Sequence, residues 1–221
     1  MIDLHIHSFF SDGQLCISEI ARRAEDKGYK AIAVTDHADR SNLFSLIEKL
    51  VPAAAELNKF TDIKIIAGVE LTHVPPKLIP ELIDCARKKG AQIIGVHGET
   101  IVEPVAPGAN LAAIEGGADF LAHPGFLTEK EAELAAEKGV FLEVSTRKGH
   151  SYTNGHVVNV ARAANAKMIV NNDAHAPGDL LEENMLKSVA RGAGLSEEEL
   201  EVCFRNSMEL FNSKLDTNFT N

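Results

Sequence analysis

The chain has 221 residues, 45% of them hydrophobic, and this length suffices for one sizeable core without requiring a second. Its formal net charge of -10 at pH 7 argues against a strongly basic surface of the kind that binds long nucleic acid or an anionic membrane. No apolar run approaches the length of a membrane span, and no signal-like segment precedes the domain. Three widely spaced cysteines, Cys16, Cys85 and Cys203, are typical of reduced thiols, so we expect a cytoplasmic protein.

The first dozen residues contain a predicted strand with two histidines on one face. His5 and His7 are separated by one residue, and side chains on a strand alternate between faces, so both imidazoles point the same way. Asp3, two residues before His5, points to the same face deeper in the barrel, where we expect it to orient a ligating imidazole. Two imidazoles at a strand end form half of a metal site, although a single His-x-His is equally typical of the wet face of an edge strand.

The remaining elements alternate along the chain. Apolar runs predict strands over residues 30–36, 62–69, 92–96, 119–122, 141–145 and 167–172. Helical periodicity predicts helices over residues 17–27, 43–60, 80–90, 110–115 and 157–166, with Pro52 marking a break or a new first turn. Capping boxes beginning at Thr128 and Ser196 predict a helix that ends before Gly139 and a last helix that reaches about Leu210.

The spacing of these elements indicates the fold. Seven short apolar strands, each followed by a helix at intervals of roughly thirty residues, predict parallel strands joined by right-handed crossovers. An open sheet gathers function at one switch point, whereas a barrel spreads it over the carboxyl ends of most strands. Strands one to five and seven each end in a histidine or an acidic residue, which favours a barrel. We predict one α/β barrel domain over residues 1–211 and a polar tail at 212–221 that is expected to fray.

Nine side chains at or just beyond the strand ends are candidate metal ligands. Any single one is equally typical of a helix cap or a buried imidazole with a hydrogen-bond partner. Nine gathered at one end of a barrel would repel one another and lose solvation, a cost that divalent cations remove. At four or five ligands per ion, the set suits two or three ions. The candidates are His5, His7, Asp12, His37, Glu70, His97, His123, Asp173 and His175.

The strand-end motifs, in chain order, are Asp3-Leu-His-Ile-His7, Thr35-Asp-His37, Gly68-Val-Glu70, His97, Ala122-His-Pro124 and Asn172-Asp-Ala-His175. In type and order they resemble the motifs of the PHP domain (polymerase and histidinol phosphatase) family of metal-dependent phosphoesterases. The resemblance covers nearly the full length of the chain. It implies a distorted seven-stranded (β/α)7 TIM-like barrel that holds up to three divalent metal ions.

The resemblance also implies how the ligands divide among the ions. The first ion would be held by His5, His7, Glu70 and Asp173. Glu70 would bridge to a second ion completed by His97 and His123, and Asp12, His37 and His175 would hold a third. Zinc, manganese and iron all suit such ligands, and Asp12, which stands where some relatives have histidine, tilts the third ion toward manganese or iron.

Catalytic candidates lie near the third ion and in the loop after strand six. Water on the third ion, held by Asp12, His37 and His175, is one source of the proton for a leaving group. His150 and His156 are alternative sources, and Arg147 is expected to hold the outer oxygens of a phosphate. Alternatively, Arg147, His150 and His156 belong to an ordinary solvated loop and have no role in the site. His73, in the loop after strand three, is as typical of the surface as of a position that faces the substrate. Glu143 on strand six is expected to be a paired interior group if its face points inward.

The implied activity is hydrolysis of a phosphoester by a hydroxide that bridges two metal ions. We expect a phosphatase acting on a small phosphomonoester, either a nucleotide or an ester resembling histidinol phosphate. Alternatives are an exonuclease or nucleotide phosphodiesterase on short nucleic-acid ends, and a non-catalytic binding subunit. A metal hydrolase of C–N bonds is disfavoured because no lysine stands at a strand end. Neither long nucleic acid nor a membrane is an expected partner, and the oligomeric state is not predicted.

Overall fold

A computed structural model describes residues 1–215 of the chain. Strands and helices alternate along it. The strands are β1 (Ile2–Ile6), β2 (Ala31–Ala38), β3 (Lys64–Leu71), β4 (Ile93–His97), β5 (Phe120–Ala122), β6 (Phe141–Ser145) and β7 (Met168–Asn171). The helices are α1 (Ile17–Asp26), α2 (Leu43–Leu57), α3 (Ile79–Lys89), α4 (Ala109–Glu115), α5 (Glu129–Lys138), α6 (Asn154–Ala164), α7 (Glu183–Gly192) and α8 (Glu197–Leu215).

The seven strands form one parallel sheet that curls into a nearly closed barrel. Each strand pairs with the next in the order β1 to β7. Between β7 and β1 the backbone contact is a single bridge that joins Ile6 to Ala174, with a 2.8 Å hydrogen bond from His7 N to Ala174 O. The predicted α/β TIM-like barrel is confirmed, and its β1–β7 seam accounts for the distortion.

Apolar side chains pack on both faces of the sheet. The larger cluster lies between the sheet and the helices and includes Leu46 and Ile83. The smaller cluster fills the barrel interior, where the Phe120 ring lies 5.4 Å from the His5 ring. Gly95 makes room for that ring, since a Cβ atom there would lie 2.3 Å from Phe120. The interior is therefore packed directly beneath the strand ends.

Helix α8 covers the other end of the barrel. Leu210 and Phe211 pack into the interior cluster with Ile2 and Ala31, which stand at the starts of their strands. This burial extends α8 to Leu215, past the predicted end near Leu210, so the first four residues of the expected frayed tail are helical. The rest of that tail, 216–221, lies outside the described residues.

Two other kinds of local prediction have different outcomes, and one helix was not predicted. The capping boxes at Thr128 and Ser196 are confirmed by reciprocal hydrogen bonds with Glu131 and Glu199. Helix α2 continues through Pro52 because buried apolar residues on both sides keep it packed on the sheet. Helix α7 was not predicted, because only a narrow stripe of its apolar side chains is buried. In residues 1–215, no helix is both long and apolar enough to cross a membrane.

Strand β1 departs from strict alternation, and this changes the role of Asp3. Its pairing with β2 shifts register between Asp3 and Ile6, and Leu4 packs in the barrel interior whereas Ile6 packs beneath the helices. The expectation that Asp3 orients a ligating imidazole is wrong. Its Oδ1 accepts the backbone N–H of His5 at 2.9 Å, and its Oδ2 accepts both the backbone and side-chain N–H groups of Asn172. Asp3 therefore ties β1 to the chain just beyond β7.

We predict that Asp3→Asn lowers the free energy of unfolding by about 2 kcal/mol, because an amide NH2 would face a buried N–H donor at the seam. Urea denaturation of the metal-free protein measures the loss. Asp62→Asn, at an exposed position before β3, is the matched control. A loss below about 0.5 kcal/mol, the range of ordinary surface substitutions, would contradict the role of Asp3 in the seam.

Candidate metal centre

The structure brings all nine predicted ligands together at the carboxyl ends of the strands. Seven of them are buried, His37 is half-buried, and the Asp12 side chain is 57% exposed. Several line a cavity of about 210 Å³, together with Thr72, Arg147 and His150. The convergence follows from parallel pairing, which sets every carboxyl end at one rim of the barrel.

The backbone is strained at two of these ligands. His123 has φ of 25° and Asp173 has φ of 53°, in the left-handed region that residues with a Cβ atom rarely adopt. Each such conformation costs about 1–3 kcal/mol and persists where the surroundings impose it. His123 directly follows β5, and Asp173 lies two residues after the end of β7, so the strain is located where each chain segment turns its ligand toward the cavity.

His5, His7, Glu70 and Asp173 form the innermost group. His5 Nε2 lies 3.4 Å from Glu70 Oε2, and His7 Nε2 lies 3.3 Å from Asp173 Oδ1. Each of the four residues has a buried nitrogen or oxygen without a hydrogen-bond partner among the described residues. Buried polar atoms are normally satisfied, so four converging exceptions fit a cation as the missing partner. The set is the one that the resemblance assigns to the first ion.

A second group lies toward solvent, on the side of the loop after β1. Asp12 Oδ1 lies 3.2 Å from His175 Nε2 and 3.5 Å from His37 Nε2. His7 belongs to this group too, because its ring centroid lies 4.0 Å from that of His175 and 4.2 Å from that of His37. His7 thus faces both groups, whereas the resemblance assigned it to the first ion alone.

The loop that carries Asp12 is anchored by Asp36 of β2. Asp36 Oδ1 accepts the backbone N–H of Ser8 at 2.8 Å, and its Oδ2 accepts the Ser8 hydroxyl at 2.6 Å. The Ser11 hydroxyl also donates to Asp36. These bonds fix the chain at Ser8 and at Ser11, the residue before Asp12, so an exposed carboxylate is held near buried imidazoles.

His97 and His123 form a third group that also includes His150. His123 Nε2 lies 3.5 Å from Glu70 Oε1, and the His123 ring stacks on His150 with centroids 3.9 Å apart. Burial, with His123 and His97 as neighbours, lowers the pKa of His150 to about 3. A neutral imidazole suits hydrogen bonding better than proton donation at neutral pH. The role of His150 as an acid stays a prediction.

Carboxylates set the charge of the buried imidazoles. Burial lowers the pKa of His5, but Glu143 and Glu70 outweigh it and raise that pKa well above its ordinary value. Burial alone would raise the pKa of Glu70, yet His5 and His37 hold it well below the usual range. Burial and the imidazole of His37 lower the pKa of His7. Glu70 is therefore held as a carboxylate and His7 as a neutral imidazole, the forms that metal ions bind, whereas the neighbouring carboxylates favour the protonated form of His5 until a cation replaces its proton.

Glu143 on β6 positions two of the ligands. Its Oε1 lies 2.8 Å from His5 Nδ1 and accepts the Asn171 amide at 2.8 Å, while Oε2 accepts the backbone N–H of His123 at 3.0 Å. The predicted paired interior group is therefore a carboxylate that fixes the His5 ring. With Nδ1 engaged, Nε2 is left to face Glu70 and Asp173.

The loop after β6 contributes some of its predicted residues and not others. Arg147 lines the cavity and donates to Asp173 O at 3.2 Å. An adjoining cavity, of about 390 Å³, is lined by Arg147 and by the neighbouring Lys148. His156 lies outside the cavity lining, with Nε2 2.7 Å from Leu127 O and its ring against Phe126. The predicted role of His156 as an acid has no support from this position.

Glu103 was missed by the sequence analysis. It stands between β4 and α4, and its carboxylate lies within 3.4 Å of nitrogen atoms of His73, His97 and His150. The hydrogen bond with His97 lowers the pKa of Glu103 to about 2, against partial burial. His73, expected at the surface or near substrate, shares the cavity mouth with it. Glu103 follows no strand end and no motif, so the sequence offered no signal for it.

The matches with known proteins agree with this geometry. A family model described as PHP domain matches residues 3–97. The uncharacterized protein MJ1295 of Methanocaldococcus jannaschii is 49% identical over 201 residues, which cover 90% of this chain and 92% of that protein. Probable phosphatase Teth514_1060 of Thermoanaerobacter sp. is 26% identical, over 90% of this chain and 88% of that protein. Ribonuclease P protein component 3 of Methanosarcina barkeri is also 26% identical, over 89% and 82%.

Among solved structures, one chain in a cryo-EM structure of archaeal ribonuclease P with mature tRNA superposes with a TM-score of 0.67. The match covers 100% of this chain and 95% of that chain at 14% sequence identity. At this identity the likeness is one of fold.

We predict that Glu143→Gln weakens metal binding by about 10- to 100-fold, because the His5 ring loses its carboxylate partner. Competition with a chromogenic chelator measures the affinities for zinc and manganese. Glu137→Gln on the exposed face of α5 is the control. A folded Glu143→Gln protein whose affinities stay within twofold of the parent would show that Glu143 has no part in metal binding.

Proposed function

Because the chain belongs to the PHP domain family, we propose that it is a metal-dependent phosphatase that acts on a small phosphomonoester. The observation that carries this proposal is the set of buried ligand atoms in His5, His7, Glu70 and Asp173 that lack hydrogen-bond partners. Such an arrangement is costly unless cations bind there. The substrate would be a nucleotide or an ester resembling histidinol phosphate.

Two or three divalent ions, zinc, manganese or iron, fit the three groups of ligands. When bound, such ions acidify water and offset the negative charge that develops on phosphate oxygens. The protein's own contribution is to hold the ligands rigidly. Glu143 fixes the His5 ring, and Asp36 fixes the loop that carries Asp12.

Arg147 is the proposed phosphate-orienting residue. Its side chain is 30% exposed at the cavity edge, and Nε lies 3.8 Å from Asp173 Oδ2. A guanidinium offers several N–H donors in one plane, so it can keep a contact with Asp173 and still donate to the outer oxygens of a phosphate. Arg147 also lines the adjoining cavity, which places it between the two.

The size of the cavities supports a small substrate. The main cavity, of about 210 Å³, is smaller than the roughly 300–1,000 Å³ of typical ligand pockets. It suits a phosphoryl group, and the adjoining cavity of about 390 Å³ would take the alcohol portion. The two share Asp12, Arg147 and His175 in their linings, so a substrate can extend from one into the other.

Two alternatives remain to be separated by experiment. An exonuclease or nucleotide phosphodiesterase acting on short nucleic-acid ends would use the same ligands. A non-catalytic binding role is suggested by the relative named Ribonuclease P protein component 3, which is 26% identical. Against that role, this chain has a histidine or carboxylate at every ligand position that the resemblance implies. The net charge of -10 also gives little attraction for long nucleic acid.

We predict that the purified protein holds two to three equivalents of divalent metal and hydrolyses p-nitrophenyl phosphate faster than bis-p-nitrophenyl phosphate. Manganese reconstitution should restore activity lost on chelation. His97→Ala should lower monoester turnover at least 100-fold, because it removes a ligand for the second ion.

Metal analysis and the two esters together separate the possible outcomes. Turnover of the diester alone would favour the nuclease. Protein that folds yet binds no metal and hydrolyses neither ester under any reconstitution would sink the enzyme proposal in favour of a binding role.

We further predict that Arg147→Ala raises KM for p-nitrophenyl phosphate about tenfold and also lowers kcat, because the phosphate loses a charge-assisted donor. Steady-state kinetics at constant metal content measure both constants. Arg22→Ala, an exposed change of equal charge on α1, should leave them unchanged. If Arg147→Ala matches the parent in both constants, Arg147 does not touch the phosphate.

A further inference from the structure

Glu103 reaches the metal centre from a loop rather than from a strand end. Its Oε2 lies 3.1 Å from His97 Nε2, and its Oε1 lies 3.4 Å from His150 Nε2. The side chain is 37% exposed, so it stands at the boundary between the buried centre and solvent. No motif that led to the nine predicted ligands includes it.

The contact between Glu103 and His97 needs a positive charge between the two atoms. His97 Nδ1 lies 3.1 Å from Gly98 O, and a carbonyl only accepts, so Nδ1 carries the hydrogen. In a neutral imidazole, Nε2 then presents a lone pair to an acceptor-only carboxylate. Two acceptors at this distance require a shared proton or a cation.

Two contacts at this site have the spacing of atoms bound to one metal ion, and ligand atoms of His73, His97 and Glu103 lie within 4.8 Å of one another. Two nitrogen or oxygen atoms bound at about 2.0–2.2 Å to one zinc ion lie roughly 3 to 3.5 Å from each other. The contacts of Glu103 with His97 and of His123 with Glu70 Oε1, at 3.1 and 3.5 Å, match that spacing. The protein ligands that the resemblance gives to the second ion are Glu70, His97 and His123, one fewer than four.

Flanking residues hold the carboxylate in place. His150 Nδ1 lies 2.9 Å from the Thr100 hydroxyl, which can donate to it, so Nε2–H is free to donate to Glu103. His73 Nε2 lies 3.2 Å from Glu103 Oε2 on the other side. Thr100 belongs to the same loop as Glu103, so His150 anchors the loop at two points.

We propose that Glu103 is the fourth protein ligand of the second metal ion, carried by the loop between β4 and α4 and held there by His73 and His150. The proposal rests on the metal centre of the proposed function, but it concerns binding rather than hydrolysis. Because the ligand sits on a partly exposed loop, it completes the second ion's shell from the side that faces solvent.

The test is metal binding by Glu103→Gln. Protein stripped with a chelator is titrated with cobalt(II), and the visible absorption and the affinity of each equivalent are recorded. We expect one equivalent to bind at least tenfold more weakly and its visible bands to change, while the other equivalents keep their affinities. Glu115→Gln, an exposed glutamate at the end of α4, is the matched control and should behave as the parent.

A second variant guards against loss of folding. Glu103→Asp keeps the charge but shortens the reach, so it should weaken the same equivalent by a smaller factor. Affinities within twofold of the parent and unchanged cobalt bands in both variants would overturn the proposal. A lower melting temperature of the metal-free Gln variant, with unchanged metal binding, would identify Glu103 as a loop anchor only and would likewise overturn it.

These readouts are independent of turnover. A protein whose second equivalent depends on Glu103 but which hydrolyses neither ester would refute the phosphatase and leave the ligand assignment intact. The reverse result, with ester hydrolysis and no dependence of binding on Glu103, would refute only the ligand assignment.

Discussion

Imidazole and carboxylate side chains are buried together at one rim of the barrel, and the rest of the structure depends on this clustering. Atoms of His5, His7, Glu70 and Asp173 are buried there without hydrogen-bond partners among the described residues. Desolvation on this scale opposes folding, and hydrogen bonds from other parts of the protein relieve only part of it. The rest of the fold can be understood as the support that keeps these side chains together. Seven strands deliver them, strained turns at His123 and Asp173 aim them, and Glu143 fixes the His5 ring.

Strand β1 has the most demanding position in this support. It carries two ligands and also closes the barrel, although its backbone pairs with the β7 side at a single bridge. Side chains take over where backbone pairing is lacking. Asn171 Oδ1 accepts the backbone N–H of Leu4 at 3.0 Å, and its amide donates to Glu143, the residue that positions His5. Closure of the barrel and orientation of a ligand thus share one hydrogen-bond network.

The sequence allowed the fold and nearly all of the candidate site to be predicted, and the reason is geometric. In a parallel barrel, the predicted ligands lie in the last residues of a strand or in the loop that follows it, so the order of strands brings residues as distant as His5 and Asp173 together. Two features escaped prediction because they depend on contacts between distant segments. The register shift lies in the pairing of β1 with β2, and Glu103 approaches through a loop without periodicity. Helix α7 escaped because only Leu186 and Ala190 are buried along it.

The packed interior beneath the candidate metal centre limits the route by which ligands can reach it. Phe120 lies under His5, and α8 covers the starts of the strands, so the barrel is closed at that end and open only at the carboxyl ends of the strands. A ligand of the candidate metal centre must therefore enter and leave at the end of the barrel where the loops follow the strands. A polymer therefore cannot pass through the interior of the barrel. In the proposed phosphatase reaction, the leaving alcohol and the phosphate would both have to depart through the same opening by which the substrate enters.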